Sequence, residues 1–296
     1  MFYQCSLKYL IIVGLCYLTQ GLTSPYPAHA QEGSSIETTY DIFWKGIRVF
    51  TMEGETELFE QSYNHKSHMR SRGVLRWFLK AGMDIEARGK TTPDGKTQAE
   101  FYRSYSKWNK NIYEREVRFN EEGKALEIIV NIPKDNDEKG YREEVPEEFQ
   151  ISPDPISLFI GMMADPNNLF KSDSLGQPLS SFDGSRSMAY EPNCNFPNQT
   201  LEYTRKSAFK GDAYYCEITL SQTGGFWHGD EDATDKVRDE DEEQKPLKVW
   251  YGKTETGHYL PVKMEFKSGR GTLKIYLKEL NRDILSIKAT QNAIEP

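Results

Sequence analysis

This sequence predicts a mainly β, antiparallel protein with one or two short helices. Apolar and polar side chains alternate with period two along most of it, glycine-centred turn signals separate the alternating runs, and helical patterning is confined to two short stretches. In the first strand Tyr40, Ile42 and Trp44 are set against Asp41 and Lys45. In "IYEREVRF", Tyr113, Val117 and Phe119 oppose Glu114, Glu116 and Arg118. "LEIIVNI" aligns Leu126, Ile128, Val130 and Ile132, and "YYCEITL" aligns Tyr214, Cys216, Ile218 and Leu220. Near the end Val262, Met264 and Phe266 alternate with Lys263, Glu265 and Lys267, and Leu273, Ile275 and Leu277 alternate with Lys274 and Lys278. One dry and one wet face per strand is the antiparallel signature. Pro93-Asp94-Gly95, Gly123, Gly257 and Gly269 mark hairpin turns. Helical spacing is expected over Gly73–Gly82 and in "SPDPISLFIGMM", from Ser152 to Met163. There is no internal repeat, and the Pro- and Ser-rich stretch from Pro166 to Pro178 could divide two halves of one sheet.

The first thirty residues read as a signal peptide. Lys8 precedes the apolar run "YLIIVGLCYL", and Ala28-His29-Ala30 has the small-x-small form of a cleavage site, so cleavage is expected after Ala30. The run is shorter than the about 20 apolar residues a membrane-spanning helix needs, and an uncleaved anchor is the alternative. Leu15 before Cys16 speaks against a lipoprotein site. No later stretch is long enough to span a bilayer, so the expected product is exported, soluble and a single β-rich domain, 31–296, with its core at about 40–280.

Loss of Lys8, the only charged side chain in that leader, takes the net charge from −8 to −9. An acidic balance argues against nucleic acid or an anionic membrane surface as partner. Cys5 and Cys16 leave with the leader, and the remaining pair, Cys194 and Cys216, is expected to form one disulfide in an oxidising compartment. There is no CxxC spacing to favour a redox dithiol.

Signals for catalysis are missing. No P-loop, GxGxxG or GxSxG is present; "DGSRS" around Ser185 lacks the second glycine of a nucleophile elbow. His65 and His68, three apart, fall on opposite faces of a strand and make a poor metal pair. The run from His228 to Lys245 holds nine acidic residues and three basic ones but lacks the glycine and closing glutamate of a calcium loop, so it reads as a solvated excursion. No metal, cofactor or catalytic residue is expected. Trp44, Trp77, Trp108, Trp227 and Trp250 read either as core and cross-strand packing or as contacts for carbohydrate or lipid.

The segment from Ser152 is the most apolar part of the chain after the leader. Asp154 is a good N-cap and Pro155 suits the first helical position. Six of the eight residues from Ile156 to Met163 are large and apolar, so this helix needs cover on more than one side. A curled sheet with the helix in its concavity supplies that cover. Either the helix simply fills the concavity, or it gates an apolar pocket in which Met162 and Met163 suit a variable ligand.

"TYDIFWKGIRV", "SPDPISLFIGMM" and "VWYGKTETGHYLPVKMEFKSGRGTLKIYLKEL" together resemble the bacterial exported family called domain of unknown function 3108. The similarity runs from about Tyr40 to Leu280, with the acidic run as a departure. It implies a Gram-negative periplasmic protein built on one long curled antiparallel sheet, half-barrel or β-spiral like, analogous to half-barrel carriers of lipoproteins; it transfers no catalytic residues. The expected function is non-enzymatic: a periplasmic binding or scaffold protein for envelope integrity, contacting an acyl group, a lipoprotein or another envelope protein. Trp44, Phe159, Met162, Met163 and Trp250 are the ligand-contact candidates. A purely structural or protein-interaction module, and a hydrolase of envelope glycans or lipids, are the alternatives.

Overall fold

The computed structural model describes residues 31–73, 75–92, 96–132, 140–164, 179–229, 245–255, 257–269 and 271–287. The expected leader, the turn at 93–95, the stretch 166–178 and the acidic run apart from His228, Gly229 and Lys245 lie outside them. Gly33–Leu285 form the compact unit; Gln31, Glu32, Ser286 and Ile287 belong to a second unit and have strand conformation.

The alternating runs form β1 (Gln31–Trp44), β2 (Ile47–Phe59), β3 (Ser62–Ser71), β4 (Ala81–Thr91), β5 (Thr97–Trp108), β6 (Asn111–Phe119) and β7 (Ala125–Asn131). After β8 (Gly140–Arg142) come β9 (Leu179–Phe182), β10 (Ser187–Asn193), β11 (Gln199–Leu201) and β12 (Gly211–Gly224). The series closes with β13 (Trp227–Gly229), β14 (Leu247–Lys253), β15 (Tyr259–Ser268) and β16 (Gly271–Ile287). Helices α1 (Leu75–Phe78) and α2 (Pro155–Ala164) interrupt them. Among the described residues, fourteen strands make one sheet in the order β7-β6-β5-β4-β3-β2-β1-β16-β15-β14-β12-β10-β9, with β11 on β12; β8 and β13 form a separate pair.

Register assigns the two faces. Ile36, Thr56, His65, Ala87, Tyr102 and Val117 stand side by side across β1 to β6, and all are buried. One residue along, Glu37, Glu55, Lys66, Glu86, Arg103 and Glu116 form the parallel row on the opposite face, where signs alternate from Glu55 onward and neighbouring charges attract. α2 lies against the inner face and meets β4, β5, β9 and β15, strands from both halves of the sheet, so the sheet wraps it. The two ends of the sheet meet through side chains. Phe182, at the end of β9, packs with Tyr102 and Val117, and Arg115 of β6 donates from Nε to Ser185 Oγ in the β9–β10 turn at 2.7 Å.

Several local expectations are corrected. The helical pattern over Gly73–Gly82 yields only the four residues of α1, because Gly82 is paired across to both Arg70 and Lys107 and is already β4. The alternation that put Trp44 beside Tyr40 and Ile42 breaks at a bulge between Ile42 and Phe43, and Trp44 is 46% exposed. Asp41, expected on the wet side, is buried and accepts hydrogen bonds from Thr51 Oγ1 at 2.9 Å and Arg48 at 3.1 Å. β7 is an edge strand, so its apolar pattern is uncovered: Leu126, Ile128, Ile129 and Val130 are exposed, Leu126 by 70%.

The expected bridge between Cys194 and Cys216 is present, with Cα atoms 4.2 Å apart. It ties the loop after β10 to β12. Beyond the bridge, Phe196 and Phe209 pack in a cluster with Tyr215 and Trp250.

Candidate functional site

The site grows from the start of α2. Asp154 Oδ1 accepts from the backbone N–H groups of Ile156 (2.9 Å) and Ser157 (3.0 Å), satisfying two of the donors a helix N-terminus leaves free, and Pro155 follows as the first helical residue. The Ser157 hydroxyl donates to the other Asp154 oxygen and lies 2.5 Å from the Tyr63 hydroxyl, while Thr97 donates to the Ser157 carbonyl at 2.7 Å. The helix is thereby pinned to β3 and β5 by its first turn. Asp154 is wholly buried, and that burial pushes its carboxyl up to about 6 although the Ser157 and Ile156 hydrogen bonds pull it down.

With the first turn fixed, the apolar positions of α2 are aimed. Ile160 and Met163 are buried against Ile36, Tyr63 and Leu260. Phe159 and Met162 are only partly buried. Beneath them, between α2 and the inner face, is a cavity of about 230 Å³. Phe159, Met162 and Met163 line it from the helix; Tyr40, Met52 and His65 from β1 to β3; and Val249, Tyr251, Leu260 and Met264 from β14 and β15. For scale, an engineered apolar cavity of about 150 Å³ stays dry and binds benzene, while drug-sized ligands take about 300 Å³ or more. The volume suits a short chain or ring.

Among the described residues, no lysine, arginine, aspartate or glutamate lines this cavity. His65 is neutral there: burial lowers it to about 4, and Nδ1 is 2.9 Å from Thr56 Oγ1. Tyr251 donates to Met162 Sδ at 3.7 Å. The Tyr40 hydroxyl is buried and has no hydrogen-bond partner among the described residues. In register with Tyr40 across β2, β3 and β4 stand Met52, Met69 and Met83, a row of flexible thioethers continuing the wall along the inner face.

A larger hollow, about 860 Å³, lies over the charged rows and is lined by Glu37, Glu53, Glu55, Asp84 and Glu86 with Lys66, His68 and Arg103. It is shallow, and His68 is 2.5 Å from Asp84 while Arg103 donates to Glu114 at 2.7 Å. It is the hydrated face of the sheet. Ser185 donates to Asp183 at 3.0 Å and accepts from Arg115, arrangements that build a turn rather than activate a nucleophile.

Of the five ligand-contact candidates, three meet at the cavity: Phe159, Met162 and Met163. The other two do not. Trp44 stands outside beside Lys45, and Trp250 is buried under the disulfide-tied loop, donating to Gln199 at 2.8 Å with Lys263 over its ring. Sequence reasoning missed Tyr40, Met52, His65 and Tyr251 as wall residues. Period-two alternation already turns Tyr40 and His65 to one side, but which side closes on a cavity depends on how the sheet curls.

No curated protein matches the chain. Among solved structures it is similar to the "Crystal Structure of Beta-barrel-like Protein of Domain of Unknown Function DUF1849 from Brucella abortus", at 13% identity and a TM-score of 0.41, covering 87% of this chain and 99% of that one. The family described as "Protein of unknown function (DUF3108)" matches residues 39–278, from the strand that carries Tyr40 to the strand beside it at the far end of the sequence, and the chain belongs to that family.

Proposed function

We propose that this is a non-enzymatic binding protein of the bacterial periplasm that holds an apolar group, such as a short length of acyl chain or a partner's lipid anchor, in the cavity under α2, in the service of envelope integrity. The observation that carries the proposal is the cavity itself: a helix packed only as a plug would leave no uncharged space of about 230 Å³ between Phe159, Met162 and the sheet. Support for export comes from the leader-like first thirty residues and from the Cys194–Cys216 bridge, which suits an oxidising compartment.

Native mass spectrometry of the protein purified gently from periplasm tests it. The expected result is a reproducible extra mass of lipid size that is lost in Phe159→Asp and Met162→Asp variants which still fold. A clean apo mass, with no uptake of added short-chain lipid, would count against the proposal. A second reading, a protein-interaction module, is favoured by one observation, the uncovered apolar edge of β7. On that reading a charge at Ile129 abolishes partner capture and leaves any bound lipid untouched.

A further inference from the structure

The cavity's composition narrows its ligand. Among the described residues it has no charged wall residue, its histidine is neutral, and the rest of the wall is mainly Ile, Leu, Val, Met and Phe, with a few threonine, serine and tyrosine side chains. An ionised carboxylate or an ammonium group there would lose its hydration and gain no counter-ion, so the part of the ligand inside is uncharged. Against this apolar wall one polar atom stands out. Tyr40 is 4% exposed, it lines the cavity, and its hydroxyl has no hydrogen-bond partner among the described residues. Buried hydroxyls are almost always paired, and leaving one unpaired is destabilising. Tyr40 is also held in place, since the backbone around it pairs in register with β2 at Met52 and its ring packs in the cluster containing Trp250, Val262 and Leu277. Burial and the neighbouring Tyr251 both raise its pKa, so the phenol stays protonated and can donate.

We infer that Tyr40 is a specificity residue: its hydroxyl, covered just behind the cavity wall, is uncovered when the flexible Met52 side chain packed beside it shifts, and it then donates a hydrogen bond to a neutral acceptor oxygen, an ester or related carbonyl, on an otherwise apolar ligand seated in the cavity. The methionines that line the cavity, Met52, Met162, Met163 and Met264, take up variation in the shape of the apolar part, and Tyr40 reads the one polar point. This inference rests on the ligand-binding reading of the cavity, and the test separates the two.

The experiment titrates the full chain with three probes of similar length, methyl pentanoate, n-hexane and pentanoate, followed by NMR of methionine methyl groups, in wild type and in Tyr40→Phe. The expected result is that wild type takes up the ester and the alkane but not the carboxylate, and that Tyr40→Phe weakens ester binding by roughly 3- to 10-fold, the share of one hydrogen bond, with the alkane unchanged. Equal effects on ester and alkane, or none on either, would overturn the role of Tyr40 while leaving the cavity a binding site. Failure of wild type to bind both neutral probes would overturn the inference and the proposed function together. A second measurement needs no variant: the infrared band of a ¹³C-labelled ester carbonyl should move to lower frequency on binding, and a bound carbonyl at the frequency of a free ester would sink the inference.

Discussion

Replacing Asp154 by Asn should change how stability depends on pH much more than it changes stability at low pH. Asn caps a helix about as well as Asp and can accept the same bonds from Ile156 and Ser157, so the first turn is kept. What disappears is a carboxyl that burial moves from 3.8 to about 6. For an acid whose pKa is higher folded than unfolded, the native state binds the extra proton over that interval, so stability is fully present below about pH 4 and is lost as pH rises through about 6. The interval is worth about 3 kcal/mol. His65 has the opposite sign. Its pKa falls from 6.5 to about 4 on folding, so its contribution is present above 6.5 and is lost as pH drops towards 4. In wild type the two trends largely cancel between pH 4 and 6.5; in Asp154→Asn the histidine trend is left uncovered. Urea denaturation followed by tryptophan fluorescence, from pH 4 to 7, measures this, provided the m-value is constant. The variant should gain about 3 kcal/mol relative to wild type across the range. A difference that does not vary with pH would refute the assignment of a buried, proton-holding Asp154.

Two further outcomes follow from features of the fold. Replacing Cys194 and Cys216 with serine opens the loop between residues 22 apart in sequence and should cost about 3 kcal/mol in the chain-entropy estimate, seen as a lower denaturation midpoint that reductant no longer changes. In Gly89→Ala the new Cβ would press into the Gln98 carbonyl oxygen and the Tyr63 ring, at the irregularity between Arg88 and Gly89. The expected loss is about 1–3 kcal/mol, and a midpoint unchanged from wild type would mean that β4 and β5 are less closely packed there than described.

How much of this was legible in the sequence depends on the range of the interaction involved. Period-two alternation marked the strands, because each residue's face follows from its neighbours two positions away. Asp154-Pro155 marked α2, because capping is settled within one turn. The disulfide followed from there being only two cysteines beyond the leader. The bulge at Ile42/Phe43 was not legible, since an extra residue in one strand shows only when it is aligned against its partner. The exposure of Leu126, Ile128 and Val130 was hidden for a related reason: their alternation is that of a buried strand, and only strand order reveals β7 as an edge. Tyr40 and His65 could be assigned a side but not a role, because the cavity they line also needs α2 and β15, which lie far along the chain.

β1 and β16 are neighbours in the middle of the sheet, although they come from opposite ends of the described sequence. On one side of that seam β1 to β7 can form as a succession of hairpins, each pairing with the strand just made, and on the other side most strands likewise join near neighbours. The seam is different: it brings together segments separated by nearly the whole chain, so its loop-closure entropy must be met before the contact returns anything. The half-sheet containing β1 to β7 should therefore acquire order early, with its β1 edge unpaired until β16 arrives. During that interval the nascent protein presents a long free strand edge, the kind of surface that chaperones bind and that aggregation exploits.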